Sequence, residues 1–125
     1  MMKALRQHHI SFKNAFAGLI WSLKTQPNFR VHIVCSLGAV FLGVYLRITR
    51  PEMAVILFTI LLGLSSEMIN TALESMTDLI TTEWKEQARI AKDVAAGMML
   101  LVAMGAVLIA LFIFVPYIRL RAGMY

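Results

Sequence analysis

The stretch from Thr49 to Ile80 reads TRPEMAVILFTILLGLSSEMINTALESMTDLI, and its two halves differ in kind. Thr49-Arg50-Pro51-Glu52 has the marks of a helix start: Thr49 as N-cap, Pro51 in the first turn and Glu52 completing a T-x-x-E capping box. Met53 to Leu64 is then apolar, while Glu67, Asn70, Glu74 and Asp78 follow in the second half. A hydrocarbon core of about 30 Å is crossed in about 20 residues at 1.5 Å each. With Thr49–Glu52 at one interface, the other boundary falls near Ala72. Glu67 and Asn70 then lie just inside the membrane, Glu74 at its edge and Asp78 beyond it. At about 100° per residue, Asn70, Glu74 and Asp78 fall within roughly 60° of Glu67, so the polar groups form one stripe. A carboxylate at mid-span costs roughly 2.5–3.5 kcal/mol on insertion scales, and less near the interface. A helix that only had to span would avoid that cost. The bland alternative is that headgroup water merely solvates Glu74 and Asp78, and it fits Glu67 least, because intramembrane acids are functional by default.

Working outward, the rest of the chain is also built for lipid. Its 125 residues allow one domain, and only 15% are charged against 59% hydrophobic. A soluble domain carries about 25% charged residues, and the mean hydropathy here is +0.73. Three membrane helices are expected, at about 31–48, 52–80 and 92–118, the last free of charge from Val94 to Ile118. Residues 5–25 read as an amphipathic surface helix, with Phe12, Phe16, Leu19 and Leu23 on one face and Lys13 and Asn14 off it. Pro27 separates that helix from the first span. Ala39/Gly43 and Ala106/Ala110 are small-residue pairs that permit close helix contacts. The expected fold is therefore an all-α integral membrane protein.

The charges set orientation and exclude other classes. Lys3, Arg6, Lys13, Lys24, Arg30, Lys85, Arg89 and Lys92 lie on one side of the expected bilayer, and Arg47, Arg50, Arg119 and Arg121 on the other. The larger group is expected in the cytoplasm together with the N-terminus. The net charge of +5 flanks apolar spans, so it points to anionic lipid and not to nucleic acid. No secretory signal is evident. Cys35 is the single cysteine, in an apolar run without neighbouring ligands, and reads as a packing residue.

Chemistry concentrates at the acidic stripe. Glu67, in apolar surroundings, is a candidate proton acceptor. Glu74, one turn nearer water than Asn70, is a candidate metal ligand, since Mg²⁺ commonly takes one or two carboxylates plus phosphate oxygens and water. Lys92-Asp93 adds an ammonium suited to phosphate and a further acid. These groups suggest phosphoryl transfer at the interface. The chain has neither G-x-x-x-x-G-K-[ST] nor G-x-G-x-x-G, no H-E-x-x-H and no paired cysteines.

Glu67-Met68-Ile69-Asn70-Thr71-Ala72-Leu73-Glu74, with Asp78 following and Ala91-Lys92-Asp93 downstream, resembles the prokaryotic diacylglycerol kinase family, which includes undecaprenol kinases. Its E-x-x-N-[ST]-A-x-E-x-x-x-D pattern is met in full, and the resemblance covers about residues 12–118. Asn28-Phe29-Arg30-Val31-His32 is similar to the N-F-x-x-H segment of the undecaprenol-type members, which favours undecaprenol over diacylglycerol as acceptor. The resemblance implies a homotrimer in the bacterial cytoplasmic membrane, with active sites shared between subunits, ATP arriving from the cytosol and the lipid alcohol from the bilayer. It implies Glu67 as catalytic base, Glu74 as Mg²⁺ ligand, and Asn70, Glu83, Lys92 and Asp93 around the nucleotide. Phe29 and Arg30 fall on the lipid-substrate side. Gln26 stands where the family commonly has a second metal-binding Glu, and Lys85 where many members have His.

Two other classes compete with a lipid kinase. A small proton- or ion-coupled transporter would use Glu67 as a relay, but its acid should be reachable from both faces, and Met53–Leu64 seals one. A non-catalytic assembly subunit would pair Glu67 with a partner helix and transfer no phosphate.

Overall fold

Residues 2–123 are described by the computed structural model, with side chains from residue 10 onward, so the side chains of Lys3 and Arg6 lie outside the described residues. The described residues form four helices in sequence: α1 (Met2–Thr25), α2 (Pro27–Leu46), α3 (Arg50–Ile80) and α4 (Glu86–Arg121). Among the described residues, α2, α3 and α4 are long and apolar enough to cross a membrane. The protein is an all-α membrane protein.

Local chemistry explains where the helices begin. Gln26 is the extended N-cap of α2 and Pro27 occupies its first turn, where a missing N–H costs nothing. The first span therefore starts four residues before the expected Val31. At the start of α3 the capping box forms: Thr49 N donates to Glu52 Oε2 at 2.8 Å, and Thr49 Oγ1 accepts from Glu52 N at 3.5 Å. α4 starts at Glu86, well before the expected position 92. Arg89 pairs with Glu86 at 2.9 Å and with Asp93 at 2.6 Å, and these i,i+3 and i,i+4 contacts extend the helix into polar sequence.

The end of α2 is set by a single residue. Arg47 adopts a left-handed φ of 59°, uncommon without glycine. Its amide and that of Ile48 close onto Val44 O and Gly43 O, both at 3.1 Å, so the helix stops at Leu46 and not at Ile48. Gly43 keeps the returning chain close. A Cβ there would stand 2.8 Å from Met53 Cε and 3.0 Å from Ile48 Cδ1.

α3 packs mainly on α4, less on α2, and α1 touches α2. The core holds Leu46, Ile56 and Phe114, with Ala39 and Ala110 from the two small-residue pairs packed against it. Phe41, Phe58 and Phe112 stay 73%, 68% and 80% exposed in the isolated chain, an arrangement water would penalise and lipid or a neighbouring subunit would not. Phe12, Phe16, Leu19 and Leu23 on α1 are likewise exposed.

The Arg50 end of the bundle is clasped by side chains. Tyr117 Oη donates to Glu52 Oε2 at 2.7 Å, joining the start of α3 to the last turns of α4. Arg121 donates to Tyr45 O at 2.9 Å and lies 4.6 Å above the Tyr45 ring. Tyr117→Phe and Thr49→Val should each lower the thermal midpoint of the detergent-solubilised protein by a few degrees. Leu120→Ala, on an exposed side chain of the same region, should lower it less.

Candidate active site

α3 lies against both α2 and α4, so the turns after Gly63 are covered on two sides. Ser66, Glu67, Asn70 and Thr71 are buried there, Glu67 to 3% exposure. Of the expected polar stripe, Glu67 and Asn70 are buried, Glu74 is half-buried and Asp78 is exposed. Glu67 and Glu74 are two turns apart on it, a rise of about 10 Å.

The hydrogen bonding of this stripe is incomplete. Asn70 Nδ2 donates to Glu74 Oε1 at 3.1 Å, which orients both side chains. Glu67 Oε2 and Asn70 Oδ1 are buried with no hydrogen-bond partner among the described residues. Burying an unpaired polar oxygen costs about 1–3 kcal/mol, and more if it is charged, so a fold that keeps two side by side is arranged for something that binds them. Glu67 opens into a groove of about 160 Å³, bounded by Asn28, Val31 and His32 of α2 and Met99, Leu100 and Ala103 of α4.

A second cavity, of about 360 Å³, lies at the α3–α4 turn, with Asp78, Glu83, Lys85, Arg89 and Lys92 among its walls. Lys92 Nζ is paired with Asp78 Oδ1, fixing the ammonium across the two helices. Glu83 pairs with Lys85 at 3.0 Å, and its amide donates to Thr81 Oγ1 at 3.1 Å, a turn that shapes the rim.

The expected site residues thus fall into two groups. Glu67, Asn70 and the half-buried Glu74 share the stripe; Glu83 and Lys92 share the polar cavity with Asp78. Asp93 does not line that cavity and is engaged by Arg89. Gln26 is half-buried at the N-cap of α2 without a side-chain cap bond, Phe29 is 4% exposed and Arg30 is exposed. None of these three lines either cavity. Two further residues belong to the site. His32 faces the Glu67 groove, a contact between helices that spacing along either one cannot encode. Arg89 borders the polar cavity, and its 86-89-93 charge pattern was the available clue.

A divalent cation is compatible with this donor set. Among the described residues no three or more His, Cys, Asp or Glu side chains converge into a closed cage. The stripe instead offers oxygen only, from Glu74, from the unpartnered Asn70 Oδ1 and from Glu67. Few protein oxygens, with the remainder from phosphate and water, is the usual arrangement for Mg²⁺.

Sequence comparison points the same way. Residues 13–114 match the model of the family described as prokaryotic diacylglycerol kinase. A diacylglycerol kinase of Synechocystis sp. is 39% identical over 101 residues, 80% of this chain and 58% of that protein. The chain thus spans little more than half the length of that relative. An undecaprenol kinase of Bacillus subtilis is 33% identical over 106 residues, 85% of this chain and 86% of that protein. With the family match running through all three spans and the buried acidic stripe, the chain belongs to the prokaryotic diacylglycerol kinase family.

Proposed function

We propose that this protein is a lipid kinase that transfers the γ-phosphate of ATP to the hydroxyl of a membrane lipid alcohol at the cytoplasmic interface. The observation that carries this reading is the unpartnered, buried Glu67 Oε2 at the head of an apolar groove. Family membership and the names of the two relatives supply the reaction class; diacylglycerol and undecaprenol are the candidate acceptors.

In the proposed reaction Glu67 Oε2 accepts the hydroxyl proton as the alcohol oxygen attacks the γ-phosphorus. The new bond forms to that oxygen, and the bond from the γ-phosphorus to the bridging oxygen of ADP breaks. Phosphoryl transfer asks mainly for positioning and charge neutralisation, so a site without a nucleotide-binding domain can perform it. Lys92, anchored by Asp78, sets an ammonium beside the phosphates, and Glu83 borders the nucleotide. Asn70 orients Glu74. Glu74, with the amide oxygens of Asn70 and Gln26, would hold a divalent cation, proposed as Mg²⁺, which supplies charge neutralisation for the triphosphate. Phe29 and Arg30 belong to the substrate side, and Asp93 acts on the nucleotide through Arg89.

The active assembly is a homotrimer in the bacterial cytoplasmic membrane, with the N-terminus and the α3–α4 turn in the cytoplasm. α1 lies in the interface with its Phe12 and Phe16 face in lipid. The basic residues Lys13, Lys24, Lys85, Arg89 and Lys92 support this orientation.

The test is one assay on purified protein with MgATP and both lipid alcohols. Labelled phosphate should appear in at least one lipid, stop on chelation of divalent cations and return when Mg²⁺ is added. No incorporation into either lipid by a folded oligomer would end the proposal.

A further inference from the structure

The two ends of the helical bundle carry their basic residues differently. Near the α3–α4 turn, Lys85 pairs with Glu83, Arg89 with Glu86 and Asp93, and Lys92 with Asp78. The opposite end holds Arg47, Arg50, Arg119 and Arg121, all exposed, and no lysine. Its single acidic side chain is Glu52, whose Oε2 already accepts from Thr49 N, Thr49 Oγ1 and Tyr117 Oη. Among the described residues none of the four arginines forms an ion pair. Helix dipoles account for part of this pattern. Arg119 and Arg121 fall in the last turn of α4, where a cation is favoured. Arg50 opens α3, where the same dipole disfavours one.

One of the four is held in place. Arg121 donates through one Nη to Tyr45 O at 2.9 Å, and its guanidinium lies 4.6 Å above the Tyr45 ring. A guanidinium has five N–H donors, so that bond leaves four open to a ligand. Tyr45 in turn stacks on Phe41, one turn farther into the membrane, with centroids 6.4 Å apart and planes 9° apart. Both rings are exposed. Arg47 follows Tyr45 by two residues, where the left-handed backbone leaves α2. A fixed, fork-shaped cation thus stands at the membrane edge above an exposed aromatic strip.

That arrangement complements an anionic phospholipid, a phosphate followed by an acyl chain. A planar guanidinium meets phosphate oxygens in pairs, which an ammonium cannot do. Free phosphate would use the fork and leave the rings bare. A second copy inserted the same way brings the same arginines to this level and no free acid, so charge opposes it. We propose that Arg121 and Arg47, with the Phe41–Tyr45 strip, bind one anionic phospholipid in the leaflet opposite the acidic stripe. Its phosphodiester meets the guanidinium groups and an acyl chain lies along the rings. The bound lipid braces α2 against α4, and the site stands apart from the phosphotransfer reading.

The experiment counts lipids on the full chain in detergent by native mass spectrometry, with thermal unfolding alongside. The titrants are phosphatidylglycerol, phosphatidylcholine of the same chain length, and inorganic phosphate. Phosphatidylglycerol should fill at least one site per chain that phosphatidylcholine does not, and should raise the thermal midpoint. The double variant Arg47→Gln/Arg121→Gln should weaken that site about tenfold. Arg119→Gln removes the same charge from a position about 160° around α4 from Arg121 and should keep the lipid. Arg121→Gln also loses the bond to Tyr45, so Arg47→Gln is measured alone and should weaken the site about fivefold. Unchanged lipid binding in Arg47→Gln, or equal loss in Arg119→Gln, would overturn the proposal. So would equal affinity for phosphatidylcholine, or displacement of phosphatidylglycerol by equimolar inorganic phosphate, which marks a free-anion site. Dissociation of the oligomer in Arg47→Gln with lipid binding retained would also overturn it, assigning this face to a neighbouring subunit.

Discussion

Replacing Glu67 by Gln should reduce kcat by about 10²–10⁴-fold, the range in which a positioned general base contributes, while the protein still assembles as a folded oligomer. The amide matches the carboxylate in shape and hydrogen-bonds through the same positions, but it cannot take the hydroxyl proton. Compensation from neighbours is hard to arrange. Glu67 is 3% exposed and its Oε2 has no hydrogen-bond partner among the described residues. Glu74 is two turns away and already holds Asn70 through Oε1. KM for ATP should change little if, as proposed, the nucleotide is held chiefly by Glu83 and Lys92, which line the separate cavity at the α3–α4 turn. The measurement is initial rate against both substrates, with size-exclusion chromatography on the same sample. Full activity in the variant would remove Glu67 from the base role.

How far the sequence reaches depends on how local each feature is. The Thr49–Glu52 capping box was legible because all its atoms belong to four consecutive residues, and the structure forms it in both directions. The Glu67–Asn70–Glu74 stripe was legible because one helix fixes the angles between its members. The end of α2 and the start of α4 were not. Leu46 is followed by a left-handed Arg47, which amino-acid type disfavours and which packing beside Gly43 allows. The start of α4 was hidden because residues 86–93 look polar until Arg89 is seen bonding to both Glu86 and Asp93. Contacts between helices were least legible of all. Tyr117 reaches Glu52 across 65 residues, and His32 meets the Glu67 groove from another helix.

Lys92→Met should lower kcat/KM for ATP by about 10²–10³-fold, the usual loss when one charge-stabilising group is removed from a phosphoryl- or acyl-transfer site. Stability alone would not lead one to expect so much. The Lys92–Asp78 pair is 39% and 62% exposed at its two side chains, and such surface pairs contribute little to folding. Its geometry nevertheless joins α3 to α4 at the mouth of the polar cavity, where Glu83 and Arg89 also stand. A pair that adds little to the fold but holds an ammonium at a fixed point is suited to receiving a triphosphate, for which Asp78 serves as the resting partner. Methionine keeps most of the apolar stem and loses the charge, so the thermal midpoint should barely move while ATP use collapses. Lys92→Arg keeps the charge in a different shape and should recover part of the loss, since a lysine acts on phosphate chiefly as a point charge. Steady-state kinetics with ATP varied at saturating lipid, alongside thermal unfolding of each variant, separates these outcomes. If Met and Arg lose activity equally and both shift the midpoint, Lys92 holds the helices together and does not touch the nucleotide.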